Sequence, residues 1–589
     1  MLSFKIEPPH RIPWAWIFLV ALTVAVYLIG LGSFYAPTNG DEMVYIHIAR
    51  MTAESGHWLP LQSEIIDTRN TKPPLLFWQA MVAGQWGESW SLWALRLPSI
   101  AYTFATSVLL AFFTFKISGK WRSTCLAAVL YLLFFSTFRY GRVYLTSAPE
   151  TFWLALPMWW VLWNRLKSKG TSVGHAQWLG LGVYTLFGIA FGLGAAYKSF
   201  ALIAPAAAAT WCAILLSTDR WDWRKAMQVT AGLGWSTLLG LAIFALWFAL
   251  DPDPVSVWQE FIVAENANKM SGSQGYWHAA LFGAYPMWTQ LYAYAENAGL
   301  LFFIPLGLAW AFAPKAWKRS TYTAIQPHQA VLGAWLVVWL LVFTLPSQRS
   351  ARYVIPAMPA LAIVLALAWD RIGKLWFYFT TAICVPAFIM LARIGWVMGD
   401  LQIASGIQVT MILIATGAGF TWAMTGFFLK NWCKPAALGS VLAVYASFGT
   451  MVAPLSDHAA DYPDAVIQGM QGKRIAVPNG FTGQFERFQF VLPGAKFTPY
   501  DAEGRKADAH WASFSNEQRL AYLLDKFDAV IWLQDKQQDV PTCLPACELV
   551  SQRWHVKSRH QSGEITKENL WYPDQWLFRK EWLLQYKLH

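Results

Sequence analysis

A chain of 589 residues that is 56% hydrophobic and only 13% charged, with 36 Trp, is too apolar to be a string of water-soluble domains and reads as a polytopic membrane protein. Its formal net charge of +11 does not call for a nucleic-acid partner. The Lys and Arg residues are spread over connecting loops, where the positive charge of cytoplasmic loops in a multi-pass protein accounts for them.

Apolar windows long enough to cross about 30 Å of hydrocarbon at ~1.5 Å per residue recur as far as about residue 454. They predict about thirteen spanning helices: 13–34, 95–115, 124–140, 150–164, 178–195, 200–217, 228–250, 296–314, 328–345, 354–369, 375–395, 407–428 and 436–454. The first window follows Lys5 and Arg11 but is too long for a signal-peptide core and lacks a small-x-small cleavage site, so it reads as a retained anchor. With the N terminus cytoplasmic, the inside loops are short and basic (Lys116, Lys120, Arg122; Arg165, Lys167, Lys169; Arg220, Arg224, Lys225; Lys315, Lys318, Arg319; Arg371, Lys374; Lys430, Lys434). The expected organisation is a membrane domain over 1–454 with long outer loops at 35–94 and 251–295, then a soluble domain over 455–589 on the outer face. In a bacterium that places the protein in the inner membrane with the C-terminal domain in the periplasm.

The outer segments carry the chemistry. In 38-TNGDEMVYIHIARM-51 the pattern predicts an amphipathic helix lying in the membrane interface, with Asp41 and Glu42 at its positive end. Asp41 can be a plain N-cap there or a base aimed at a cavity. In 72-KPPLLFWQ-79 two prolines fix an extended entry into the next helix and hold Lys72 near headgroup level. The segment 139-RYGRVYLTSAPETFW-153 sets Arg139 and Arg142 before Glu150, and Lys198 occupies a tight turn between two spans. The 251–295 loop adds Glu265 and the aromatic run 276–288 with His278, read as an interfacial helix or lid; Arg349 and Arg352 precede the next span with guanidinium groups suited to phosphate. In the terminal domain, strand-like 474–478 and 527–533 flank a helix-like 515–527, an α/β pattern, and Cys543 and Cys547 suit a local disulfide in an oxidising compartment. Carboxylates and cations over an apolar floor are what a reaction between a lipid-linked phosphosugar and an acceptor needs. Phosphate-loop, dinucleotide and HExxH zinc motifs are absent from the sequence.

These residues resemble a known family. The stretch 40-GDEMVYIHIARMTAESGHWL-59 with 72-KPPLLFW-78 is similar to the first periplasmic loop of the GT-C membrane glycosyltransferases, in particular the lipid A aminoarabinose transferase (ArnT) and protein O-mannosyltransferase superfamily. The likeness runs on through 139–153, 192-GLGAAYKSF-200, 263-VAENANKMSG-272 and 351-ARYVIPAMPAL-361. It implies a GT-C fold and inverting transfer of a sugar from an undecaprenyl-phosphate donor to lipid A, another glycan or a protein. Asp41 and Glu150 take the catalytic positions; Lys72, Lys198, Arg352 and Tyr353 take the donor-phosphate positions; Glu42, Arg142, Glu265, His278 and Arg349 are supporting candidates. Thr71 stands where the aminoarabinose transferases usually carry a Glu implicated in metal binding, and Ser147 where many relatives carry Asp, so no cofactor is certain and a divalent metal is left open. A lipid or solute transporter is the alternative of a different class.

Overall fold

The computed structural model describes residues 14–34, 40–65, 68–167, 180–217, 222–267, 276–283, 285–316, 326–346, 349–456, 461–479, 483–501, 513–533, 541, 543, 547–557, 560 and 562–587. Of the loop cations named above, Lys5, Arg11, Lys169, Arg220, Lys318 and Arg319 lie outside them. Helices α1 (Trp14–Leu28), α2 (Asp41–Glu54) and α3 (Pro74–Ala83) precede α4 (Leu92–Ser118), α5 (Trp121–Leu133), α6 (Ser147–Lys167), α7 (Leu181–Ala195), α8 (Ile203–Leu216) and α9 (Trp223–Leu250). They are followed by α10 (Phe303–Ala316), α11 (Pro327–Val342), α12 (Met358–Ala368), α13 (Lys374–Asp400), α14 (Gly406–Phe428) and α15 (Cys433–Val452). Among the described residues each window read from the sequence overlaps helical backbone, and six stretches are long and apolar enough to cross a membrane by length and composition: α4, α9, Ala351–Arg371, α13, α14 and Cys433–Leu455.

Local chemistry sets the helix ends. Helix α4 starts where the Ser91 side chain accepts from Ala94 N–H and stops at Gly119, whose φ of 64° is the left-handed conformation that closes helices. The first window, expected to run to residue 34, breaks after Leu28. The chain turns there so that the Leu31 and Ser33 carbonyls accept hydrogen bonds from the buried Arg96 Nη1, at 2.5 and 2.8 Å. Window 124–140 likewise divides at Phe134, which is extended (ψ 133°) between α5 and a one-turn helix at Phe135–Tyr140.

Charges gather at the two ends of the bundle. At one end Arg122 donates to both Asp370 oxygens at 3.0 Å, and Lys434 lies 3.9 Å from the same carboxylate, so three loops read as cytoplasmic meet. At the other end lie α2, Lys72, Lys198, Arg352 and a five-stranded sheet of order β2-β1-β3-β5-β4. Its strands are β1 (Arg474–Pro478), β2 (Lys496–Tyr500), β3 (Ala529–Leu533), β4 (Cys547–Val556) and β5 (Phe578–Tyr586). Strand β1 pairs parallel with β2 and β3, and β5 pairs antiparallel with β3 and β4. A helix, α16 (Asn516–Lys526), packs on β3. The sequence anticipates β1, β3 and α16; β2, with Pro499 tolerated at the sheet edge, and the long β4 and β5 were not foreseen.

Candidate active site

Helix α2 is not the half-exposed interfacial helix that its pattern suggests. Val44, Ile46, Ile48, Ala49 and Ala53 are buried, and so are Glu42, His47 and Thr52. The polar residues stay inside because each has a partner. Glu42 accepts from Arg96 Nε at 2.7 Å, Arg96 Nη2 at 2.8 Å and Tyr144 N–H at 2.9 Å, which ties α2 to α4. Glu42 is therefore a buried structural anchor and not a solvated first-turn charge.

Six residues after Val44 comes the second tie. Glu486, wholly buried in the C-terminal part, accepts from Arg50 Nε at 2.6 Å and Nη2 at 3.0 Å, and lies 2.9 Å from His47 Nδ1. Since Glu64 N–H donates to His47 Nε2 at 3.3 Å, Nδ1 is the ring nitrogen that donates to Glu486. Beside this clasp Gly483, at φ +79°, lies so near that a Cβ on it would come within 2.6 Å of Val44 Cγ2. Sequence reasoning passed over this clasp, although a His and an Arg three positions apart on an apolar helix signal one buried acidic partner.

Held at Glu42 by Arg96 and at His47 and Arg50 by Glu486, α2 presents its start to a cavity of about 670 Å³. The N-cap position is Gly40, with no side-chain cap bond, so Asp41 is the first helical residue and not the N-cap. Asp41, Lys72, Lys198, Glu265, Arg352 and Tyr353 all line this cavity, and so do Thr71 and Ser147. Lys72 is delivered by Pro73, extended at ψ 156°, with Pro74 opening α3. It donates to Glu265 Oε1 at 2.8 Å and to the Thr71 carbonyl at 2.7 Å. Lys198, in the turn after α7, donates to Glu150 Oε1 at 2.9 Å and lies 5.8 Å from the centre of the Tyr353 ring. Burial pulls the Lys198 ammonium below the usual lysine range, against the opposing pull of Glu150. Arg352 Nη1 stands 3.6 Å from Asp41 Oδ2, with its guanidinium 5.5 Å from the centre of the Tyr140 ring.

Other candidates lie elsewhere. Glu150 is fully buried behind Lys198 and is not part of the cavity wall. Arg142 is buried against Phe138, 4.3 Å from the ring centre, and donates to the Ile29 carbonyl, so it braces α1. Arg349 is buried and spent on the carbonyls of Thr344 and Tyr285, where it joins two loops. His278 is exposed on the short helix Tyr276–Phe282, its ring 5.9 Å from that of Phe282, and lies off the cavity wall. Among the described residues no three His, Cys, Asp or Glu side chains gather as metal ligands. Cys543 and Cys547 are joined in a disulfide, with Cα atoms 5.5 Å apart.

The arrangement of helices that carries this cavity resembles that of solved structures. The chain superposes on the crystal structure of ArnT from Cupriavidus metallidurans bound to undecaprenyl phosphate with a TM-score of 0.57 at 14% identity, over 91% of this chain and 96% of that one. On the apo form the TM-score is 0.52 at 15% identity, over 82% and 85%. The fold is that of a polytopic GT-C membrane protein. No family model matches the sequence. An undecaprenyl phosphate-alpha-4-amino-4-deoxy-L-arabinose arabinosyl transferase 1 from Sodalis glossinidius is 26% identical over 333 residues, covering 55% of this chain and 54% of that protein. A transferase of the same name from an Enterobacter species is 24% identical over 505 residues, 79% and 83% of the two chains. The chain thus spans about half the length of the first relative and most of the second, and these likenesses support the ArnT-like resemblance read from the sequence.

Proposed function

We propose that the chain is a membrane glycosyltransferase that moves a sugar from undecaprenyl phosphate to an acceptor at the outer face of a bacterial inner membrane, with lipid A the first acceptor to test and another glycan or a protein the next. The observation that carries this reading is the single cavity lined by Asp41, Lys72, Lys198 and Arg352, at about 670 Å³ large enough for a sugar phosphate. Asp41 accepts the acceptor's proton as the acceptor oxygen attacks the anomeric carbon. The carbon–oxygen bond to phosphate breaks, its electron pair leaves with the phosphate, and the anomeric configuration inverts. Lys72, Lys198 and Arg352 offset the charge on the departing phosphate.

Each of these cations is held by a carboxylate: Lys72 by Glu265, Lys198 by Glu150 and Arg352 by Asp41. An incoming phosphate competes for them, and when Arg352 turns to it, Asp41 is released to serve as base. The alkyl carboxylates that remain keep the site near neutrality once the phosphate leaves. The organisation we propose is about thirteen spans, a cytoplasmic N terminus and a periplasmic domain over 455–589. The Arg122–Asp370–Lys434 group at one end of the bundle and the cavity at the other support that orientation. The test is release of undecaprenyl phosphate from an undecaprenyl-phosphate-linked aminoarabinose by the chain in vesicles containing lipid A. Release by the unaltered chain and not by Asp41→Asn is expected; equal release by both removes Asp41 from the mechanism.

A further inference from the structure

The loop between β4 and β5 presents a compact apolar surface that the sheet does not use. Ile565, Leu570, Trp571 and Tyr572 are 38%, 44%, 48% and 47% exposed. The loop is built to hold them there. Thr566 N–H donates to Asn569 Oδ1 at 2.7 Å, Asn569 Nδ2 donates to the Glu564 carbonyl at 2.8 Å, and Trp576 Nε1 donates to the Asn569 carbonyl at 3.0 Å. Glu564 is in turn held by Lys557 and Arg579.

Its place relative to the bundle is fixed by Arg393 on α13. Arg393 Nε donates to the Trp571 carbonyl at 2.9 Å, and the guanidinium lies 5.8 Å from the centre of the Trp571 ring. Lys374 begins α13, beside the Arg122–Asp370–Lys434 group. Arg393 follows nineteen residues later, about 28 Å along the axis, which is the thickness of the hydrocarbon layer. Between and beyond them α13 turns Phe379, Ile389 and Trp396 outward, 41%, 43% and 54% exposed. The exposed loop side chains thus lie beside the outward apolar face of α13, about one hydrocarbon thickness from the charged group at its start.

We propose that the loop Glu564–Tyr572 docks in the bilayer, with Leu570 and Trp571 inserted at the headgroup boundary of the leaflet on the side of the sheet. Tyr and Trp are the side chains favoured at that depth, since each has an apolar body and a polar edge. The C-terminal sheet then has two moorings, the Glu486 clasp on α2 and this loop on the membrane.

The test needs no catalysis and stands whether or not the proposed reaction does. Leu570→Cys and, separately, Tyr572→Cys are labelled with an environment-sensitive fluorophore and reconstituted in phosphatidylcholine–phosphatidylglycerol vesicles containing a nitroxide-labelled phospholipid. The unsubstituted chain, labelled in the same way, gives the background from Cys125, Cys212, Cys384 and Cys433. Blue-shifted emission and loss of fluorescence to the nitroxide lipid are expected at both positions. Emission that the nitroxide lipid leaves unquenched overturns the proposal, whether the label is then reached by aqueous iodide or shielded by protein.

Discussion

Asp41 and Arg352 stand 3.6 Å apart with both side chains partly open to the cavity, a looser pair than Lys72–Glu265 or Lys198–Glu150 at 2.8 and 2.9 Å. A pair of that kind is worth little in stability and is easily exchanged for a ligand. Replacing Asp41 by Asn is therefore expected to leave unfolding unchanged while lowering sugar transfer by roughly the 10²–10⁴-fold that a general base supplies. Arg352→Lys keeps the charge and loses the planar fork, so the donor concentration for half-maximal rate should rise more than the maximal rate falls. Lys198 behaves differently, because its partner Glu150 is wholly buried. Lys198→Met strands that carboxylate, and a cost of about 3–5 kcal/mol is expected in thermal unfolding. The double change with Glu150→Gln should recover most of it.

Helix α2 is the element that carries Asp41, and the segment between β1 and β2 holds it through Glu486. Glu486→Gln keeps the volume but removes the charge that meets Arg50 and His47. Turnover should fall with little change in donor affinity, because Asp41 is then less well aimed while Lys72 and Lys198 stay in place. Gly483→Ala should act in the same direction, since its Cβ meets Val44 on a backbone at φ +79°. A turnover equal to the unaltered chain in both variants would separate the sheet from the site. The sequence made the cavity legible because its residues sit at helix ends marked by strong signals: a carboxylate pair after a long apolar run, Lys before two prolines, Arg before a span. Depth of burial was not legible. The pattern of α2 has alternating polar positions that look solvated, and only the distant partners Arg96 and Glu486 turn them inward. Strands β4 and β5 escaped notice for a related reason, since Arg553 and Glu581 interrupt their apolar pattern yet are buried against each other at 2.7 Å.

On the scale of the whole molecule, that buried group sets the pH range in which the sheet holds. Burial alone would raise the Glu581 carboxyl, but Arg487 and Arg553 outweigh it and bring it down to about 2. His555 is held well below the usual histidine value by burial and by Arg487, with Arg553 and Arg579 adding to that and Glu581 opposing. Both groups bind protons more weakly folded than unfolded, so both stabilise the native sheet at neutral pH and withdraw that support as pH falls. The loss should start near the ordinary histidine value of 6.5 and deepen below the carboxylate value of 4.5 towards about 2. Amide hydrogen exchange of β3, β4 and β5 against pH, corrected for the intrinsic pH dependence of exchange, checks this, and His555→Gln should remove the upper part of the slope.

The proposed function makes one demand, that a bond be made between a lipid-borne sugar and an acceptor. The direct measurement is mass spectrometry of lipid A and of envelope glycans and glycoproteins from cells with the intact chain, with Asp41→Asn and with neither. One sugar mass present on a single acceptor class with the intact chain, and missing in the other two cases, is the predicted result. The same mass in cells carrying Asp41→Asn, or a lipid moved across vesicles with no bond formed, would contradict it.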